Sequence, residues 1–288
     1  MIAIRNAIES DRIPVLSFCA GTFSWGDYID QVWDLWFHDE HGRLLVADSD
    51  GMQVGVAHVT SCPDSQSIWL EGVRVRREYR RSNIASRLID EMLKFGLDNG
   101  ADRALAIVAR DNVASQRMME RAGFAAISEW SYHSTSGKPA CQPSTARLAS
   151  PDDLDAVMQY LETSRIYAQS AKKYMRFWHW YALDRAALQG LVNEERVVVS
   201  GKPVAGISVI NKKGYWSRKN ILQIVYLDSD DGAILRDLLG FVTNLYVDSK
   251  YERLHVLCQH DKQMISIIEG LQIIESEQFL LYSKVFSC

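Results

Sequence analysis

IWLEGVRVRREYRRSNIASRLIDEMLKFGLDNG, residues 68–100, changes its hydrophobic period part-way. Ile68 to Val75 is rich in apolar and β-branched residues and predicts a strand. From Ile84 the apolar residues Ile84, Ala85, Leu88, Ile89, Met92, Leu93 and Gly96 follow helical i, i+4 spacing. Arg76 to Asn83 forms a basic loop between the two. Backbone N–H groups at a helix start lack intrahelical acceptors and carry partial positive charge, so this junction suits a pyrophosphate. Arg80 and Arg81 add full charges that can fork onto phosphate oxygens. On this feature alone, a solvated basic loop is the better account of the same residues, since basic loops before helices are common.

The flanking elements sharpen the reading. Ala104 to Val108 predicts a short strand, Arg110-Asp111-Asn112 a break, and Val113 to Ala122 a helix stopped at Gly123-Phe124. From its N-terminus, the first half reads strand, helix pair, three strands, helix, strand, helix, strand. Such alternation implies an α/β or α+β sheet with helices on its faces.

This arrangement resembles the GCN5-related N-acetyltransferase (GNAT) superfamily. That family's phosphate loop runs Arg/Gln-x-x-Gly-x-Gly/Ala, here Arg80-Arg81-Ser82-Asn83-Ile84-Ala85. Its later signature is Asn-x-x-Ala/Ser and a helix ending in Gly-Phe, here Asn112-Val113-Ala114-Ser115 and Gly123-Phe124. The clear match covers residues 44–130, and a weaker one reaches back to residue 1. The resemblance implies a mixed, mostly antiparallel twisted sheet with helices on both faces. It implies acetyl-CoA as cosubstrate, lying in a V-shaped gap between 68–75 and 104–108. Val73, Arg74 and Val75 would contact the pantetheine arm. The pyrophosphate would sit on the amides from Arg81 to Ala85, with Arg80 and Ser86 at its edges, and Asn112 and Ser115 would face the arm from the other side.

The implied reaction is attack of a primary amine on a thioester. An amine with a pKa of about 10 is protonated at neutral pH, so a base helps. Glu71 is the candidate, an acid in an apolar strand that alternation places on one face with Trp69, Val73 and Val75. An edge carboxylate paired with an arginine is the alternative. Two residues depart from the family pattern: Asn83 stands where Gly is usual, and Met119 where many members carry a tyrosine that protonates the leaving thiolate. Water or Ser115 is the substitute donor, and the general acid stays unassigned. For the acceptor, Trp25 and Tyr28 could stack and Asp27 could hold a cation, although core aromatics explain the same residues. His58, His38 and His41 read as ordinary histidines, and no metal-ligand spacing is present.

The second half echoes the first. Ile4-Arg5-Asn6-Ala7 before Glu9-Ser10-Asp11 is matched by Ala146-Arg147-Leu148-Ala149 before Ser150-Pro151-Asp152-Asp153. The tryptophan-rich segments Trp33–Trp36 and Trp178–Trp180 follow, then a strand pair in each half. The linker signal is SYHSTSGKPACQPST, residues 131–145. These features predict a GNAT-like domain over 1–135, a linker over 136–145 and a degenerate copy over 146–288. Asp228, Asp230 and Asp231 stand where the copy would need a phosphate loop, and carboxylates repel a pyrophosphate, so coenzyme binding is expected only in the first domain.

The 288 residues suffice for two cores, and 47% apolar with 24% charged residues is a globular balance. A net charge of −4 gives no global field for nucleic acid. Five scattered cysteines form no zinc or disulfide framework. Without a leader-like start or a run of about 20 apolar residues, a cytoplasmic protein is expected. The expected partner is a small-molecule amine or a peptide acceptor, with a homodimer left open. The rival readings are a protein N-terminal acetyltransferase and a non-catalytic acetyl-CoA-binding module.

Overall fold

The first half takes the order its sequence predicts: β1 (Ile2–Asn6), α1 (Arg12–Cys19), α2 (Ile29–Phe37), β2 (Gly42–Ser49), β3 (Met52–Ser61), β4 (Ser67–Val75), α3 (Ile84–Asp98), β5 (Arg103–Ala109), α4 (Val113–Arg121) and β6 (Ala125–Thr135). Then come β7 (Arg147–Leu148), α5 (Leu154–Thr163), α6 (Arg165–Gln169), β8 (Lys173–Arg176), β9 (His179–Ala182), α7 (Arg185–Asn193), β10 (Val197–Ser200) and β11 (Gly206–Asn211). The chain closes with β12 (Ile221–Asp228), α8 (Gly232–Val247), β13 (Arg253–Gln259), α9 (Lys262–Ile268) and β14 (Ile273–Val285). This computed structural model describes residues 2–22, 26–62, 65–135, 137–214 and 220–286. Contacts divide the chain into one unit of Met1–Val108, Asn112–Ala125 and Tyr282–Cys288, and another of Ala109–Asp111 and Ala126–Leu281. No helix among the described residues is long and apolar enough to cross a membrane.

The sheet of the first unit runs β1-β2-β3-β4-β5, with the end of β14 beside β5. Its first four strands are antiparallel and the β4–β5 step is parallel. The helical spacing read from Ile84 onward is the face α3 buries: Ile84, Leu88, Ile89, Met92, Leu93 and Gly96. Each buried Leu or Ile contributes about 1.5–3 kcal/mol. Gly96 lets the helix close onto β4, since a Cβ there would lie 2.6 Å from Ile68 Cδ1. The opposite face is covered by α2 through Ile29, Val32, Trp33 and Trp36, all buried.

The second unit orders its strands β14-β6-β13-β12-β11-β10-β7, with β14 represented by its N-terminal part. Ser131 to Thr135, read as linker, instead belong to β6, which pairs antiparallel with β13. Burial overrides their turn propensity: Ser131, Ser134 and Thr135 are enclosed, and Thr135 Oγ1 donates to Leu254 O. The order β7-β10-β11-β12-β13, with one parallel step at β12–β13, repeats β1 to β5. The repetition reaches single atoms. Arg5 grips Asp11 at 2.6 Å while Asp11 accepts from Ile8 N at 2.8 Å; Arg147 grips Asp153 at 2.6 Å while Asp153 accepts from Ser150 N at 2.8 Å. The tryptophans do not correspond. Trp33 and Trp36 lie on α2, whereas Phe177 and Trp178, at φ 53 and 65, close the β8–β9 hairpin. The segment after β6 is strapped along α8, with Lys138 Nζ donating to Val247 O and Asn244 Nδ2 to Gln142 O.

The two Arg–Asp clamps differ in burial, which predicts unequal worth. Asp11 is fully buried and also accepts from Gln53, whereas Asp153 and Arg147 are 14% and 47% exposed. Asp11→Ala should cost about 2–3 kcal/mol in urea unfolding and Asp153→Ala about 1 or less; equal losses would contradict this account. Burial pushes the Asp11 carboxyl up, but Arg5 and the Ile8 N–H outweigh it and hold it below the ordinary range. The contribution of Asp11 should therefore be complete above a pH of about 4 and fade as pH falls through the lowered pKa.

Candidate active site

β4 and β5 pair only at their N-terminal ends, where Ser67, Ile68 and Trp69 face Arg103, Ala104 and Leu105. Beyond that, β4 continues to Val75 and β5 to Ala109 with no ladder between them among the described residues. The parted stretch of β4 faces no ladder from β5, and there Val73 O accepts from Arg74 Nη1 at 3.2 Å. The loop above them enters α3 through two left-handed residues, Arg81 at φ 67 and Asn83 at φ 58. Asn tolerates this conformation better than other side chains, which lets the turn form without the usual glycine. The helix ladder starts with Arg87 N donating to Asn83 O at 3.0 Å, so the N–H groups of Ile84, Ala85 and Ser86 are not spent inside the helix. Ile84 buries its side chain against Gly55 and can offer only its amide, while Arg80, Arg81, Ser82, Asn83 and Ser86 are exposed. Arg80 also donates from Nε to Val75 O at 3.3 Å.

The alternation read along β4 is broken at Gly72, at φ 69. His58 pairs with Glu71 and Val56 with Arg74, so Ala57 alone stands opposite Gly72 and Val73. This bulge shifts the phase of the strand. Glu71 therefore shares a face with Trp69 and Arg74, and Val75 turns to the other side; the expected common face of Glu71, Val73 and Val75 is corrected. Trp36 fills the space over Gly72, where a Cβ would lie 2.5 Å from its Cη2. The same indole stacks on His58 at 4.8 Å between centroids and 7° between planes.

His58, read as an ordinary histidine, proves to be the partner of Glu71. It is 2% exposed, with Nδ1 2.9 Å from Glu71 Oε1 and Nε2 3.2 Å from Asp39 Oδ2. The first is a hydrogen bond, the second a charge contact off the ideal line. Burial disfavours the imidazolium, yet the bonds to Asp39 and Glu71 outweigh it and raise the His58 pKa above its ordinary value. Burial also works to raise the Asp39 pKa, but His58, Thr60 and the His41 N–H bring it down to about 2. No sequence signal joins these residues, because their register passes through the bulge.

The remaining predicted residues lie around this centre. Asp27 and Arg74 are mutually paired at 2.8 Å, at 4% and 14% exposure, and Arg74 lies over the Tyr28 ring at 5.3 Å. Asp27, expected to hold an acceptor's cation, thus holds an arginine of its own chain. Trp25 is outside the described residues. Asn112 caps α4, accepting from Ser115 N at 3.1 Å, and Met119 is buried. Among the described residues, no group of three or more His, Cys, Asp or Glu is arranged for a metal ion.

Residues 9–124 match the model of the acetyltransferase (GNAT) family. These residues belong to the GNAT family. An aminoglycoside N(6')-acetyltransferase type 1 from Salmonella typhimurium is 26% identical over 92 residues, 30% of this chain and 63% of that protein. The Salmonella enteritidis protein of the same description matches equally, so the chain spans 63% of the length of these curated relatives. A GCN5-related N-acetyltransferase from Sphaerobacter thermophilus has a TM-score of 0.63 at 14% identity, over 99% of this chain and 95% of that one. A GCN5-related glucosamine N-acetyltransferase region of a fungal GH3 β-N-acetylglucosaminidase has 0.65 at 10% identity, over 99% of this chain and 38% of that one. At such identities the likeness shows a shared fold.

The GNAT-type loop has no basic counterpart in the second unit. There α8 is capped by its own Asp231, which accepts from Ala233 N at 2.7 Å. Asp230 is paired with Arg165 at 2.7 Å, and Asp228 is fully buried under hydroxyls of Tyr160, Ser164 and Tyr226. A carboxylate already occupies the helix end that an anion would need.

The left-handed Asn83 gives a direct check on the loop. Asn83→Gly should bind acetyl-CoA at least as tightly as the wild type in calorimetric titration. Asn83→Val, which resists positive φ, should bind about 10-fold more weakly. Arg80→Ala with Arg81→Ala should weaken binding by about 10-fold or more, and unaltered affinity would remove the loop from the site.

Proposed function

We propose that this chain transfers an acetyl group from acetyl-CoA to a primary amine of a small molecule or amino acid. The observation that carries the reading is one conjunction in the first unit: two parallel strands that part, a basic helix start with unspent amides at their open end, and the part-buried carboxylate Glu71 on a parted strand. Acetyl-CoA supplies the activated acetyl group as a thioester. Arg80, Arg81 and the amides of Ile84 to Ser86 bind its diphosphate, and the backbone at Val73 to Val75 orients its arm. Glu71 takes the proton that an amine otherwise keeps at neutral pH. A thiolate of pKa about 8.5 leaves without much help, so the buried Met119 is tolerated; Ser115, at the start of α4, is the hydroxyl we assign to protonate it. The small-molecule preference draws on the relatives named as acting on aminoglycosides. The expected place is the cytoplasm.

The chain reads as a duplication with its join near residues 136–145, and we assign coenzyme binding to the first copy alone, since Asp231 already caps the matching helix. Titration should give one acetyl-CoA per chain; two sites would refute that assignment. With an accepted amine, Glu71→Gln should lower kcat by about 10²–10⁴-fold while acetyl-CoA affinity stays constant. If the wild type binds acetyl-CoA but frees no CoA above background with any amine, the chain is a binding module. Enrichment of acetylated protein N-termini in expressing cells would overturn the small-molecule preference.

A further inference from the structure

Both ring nitrogens of His58 face carboxylate oxygens, Glu71 at 2.9 Å and Asp39 at 3.2 Å. A neutral imidazole has one donor and one acceptor. It would leave a lone pair aimed at an oxygen lone pair on one side, in a site that water hardly reaches. A doubly protonated ring donates to Glu71 through Nδ1 and sets Nε2, which makes no hydrogen bond, against the Asp39 charge, and the indole of Trp36, parallel to it at 4.8 Å, presents the π face that a cation favours. The other charged groups on this face are accounted for. Arg74 and Asp27 neutralise each other beside Tyr28, and Asp39 takes further bonds from Thr60 and the His41 N–H.

We infer that His58 is the positioning residue for Glu71: an imidazolium wedged between Asp39 and Glu71 that fixes one carboxylate oxygen of Glu71 and keeps that carboxylate in its ionised, proton-accepting form. Asp39 in turn fixes the charge and the ring orientation of His58. The inference rests on Glu71 being the base. It adds that the base works as part of a trio, and that its protonation is set from β3 and from the turn after α2. The ordering matters for rate: a carboxylate held in one rotamer meets the amine without a search, and a nearby positive charge keeps it deprotonated at lower pH.

The test compares Glu71→Gln, His58→Gln and Asp39→Asn in the full chain, using an accepted amine and the pH dependence of kcat/KM. His58→Gln should lower kcat about 10–100-fold, leave the KM for acetyl-CoA unchanged, and move the acid limb upward by about 1 pH unit or more, because an opposite charge at this range shifts a carboxylate by about 1–3 units. Asp39→Asn should move the limb in the same direction by less. A His58 with only a packing role would lower kcat and leave the limb in place, and that result overturns the inference. If Glu71→Gln is harmless, the base reading itself falls. If Glu71→Gln is crippling and the limb ignores His58→Gln, only the His58 inference falls. Nitrogen-15 NMR of the wild type needs no variant to fold. The His58 ring should keep both N–H protons to a pH above the ordinary histidine range, and a ring that titrates at or below about 6.5 overturns the inference.

Discussion

At Gly72 the backbone takes a φ of 69, and the missing Cβ admits the Trp36 indole to within 2.5 Å of where that atom would stand. Three consequences follow from this contact. The ladder between β3 and β4 gains an extra residue on β4, which turns Arg74 onto the face of Glu71. Trp36 reaches across to stack on His58, so α2 is locked to β3 and β4 by one aromatic group. Arg74, on that face, meets Asp27 and Tyr28 just before α2. Any side chain at residue 72 would displace the indole and carry strain in the left-handed region, so these features stand or fall together.

Hydrogen-bond accounting connects that kink to the site above it. A strand that pairs along its whole length has no backbone to offer a ligand. β4 pairs with β5 over Ser67 to Trp69 and then diverges, and the helix that follows begins with unspent amides. Each unspent group, if buried, would carry a cost of about 1–3 kcal/mol. A ligand with acceptors along an extended arm and a diphosphate at one end meets both requirements at once.

Much of this was legible in the residues because it depends on local pattern. The switch from strand to helix period at Ile84, the basic loop and the Asn112 and Gly123 signals are each encoded within a few positions, and each element formed where the pattern placed it. The Glu71–His58–Asp39 trio was not legible, since its members come from β4, β3 and the turn after α2, and a single bulge decides which side chains face each other. Alternation counted straight through Gly72 gives the wrong partners for Glu71. Ser131 to Thr135 were misread for a different reason: small polar residues favour turns in isolation, but β6 pairs with β13, Ser131 Oγ bonds His260 Nδ1 and Thr135 Oγ1 donates to Leu254 O.

The two units show which parts of such a sequence the fold requires. The Arg–Asp clamp, the strand order and the single parallel step recur in both. They satisfy backbone groups or bury apolar faces, so losing them costs stability whatever the unit does. The residues before α3 and α8 do not recur: Arg80 and Arg81 precede one helix, Asp230 and Asp231 the other. A helix start must be satisfied, but it can be satisfied from within by a carboxylate or from without by an anion. Asp231 takes the first course with its bond to Ala233 N. The loop before α3 takes neither from its own side chains, since Asn83 makes no cap bond. The structural need is equal at the two sites, so arginine before α3 and aspartate before α8 are two different answers to it: one helix start carries positive charge, the other its own carboxylate cap.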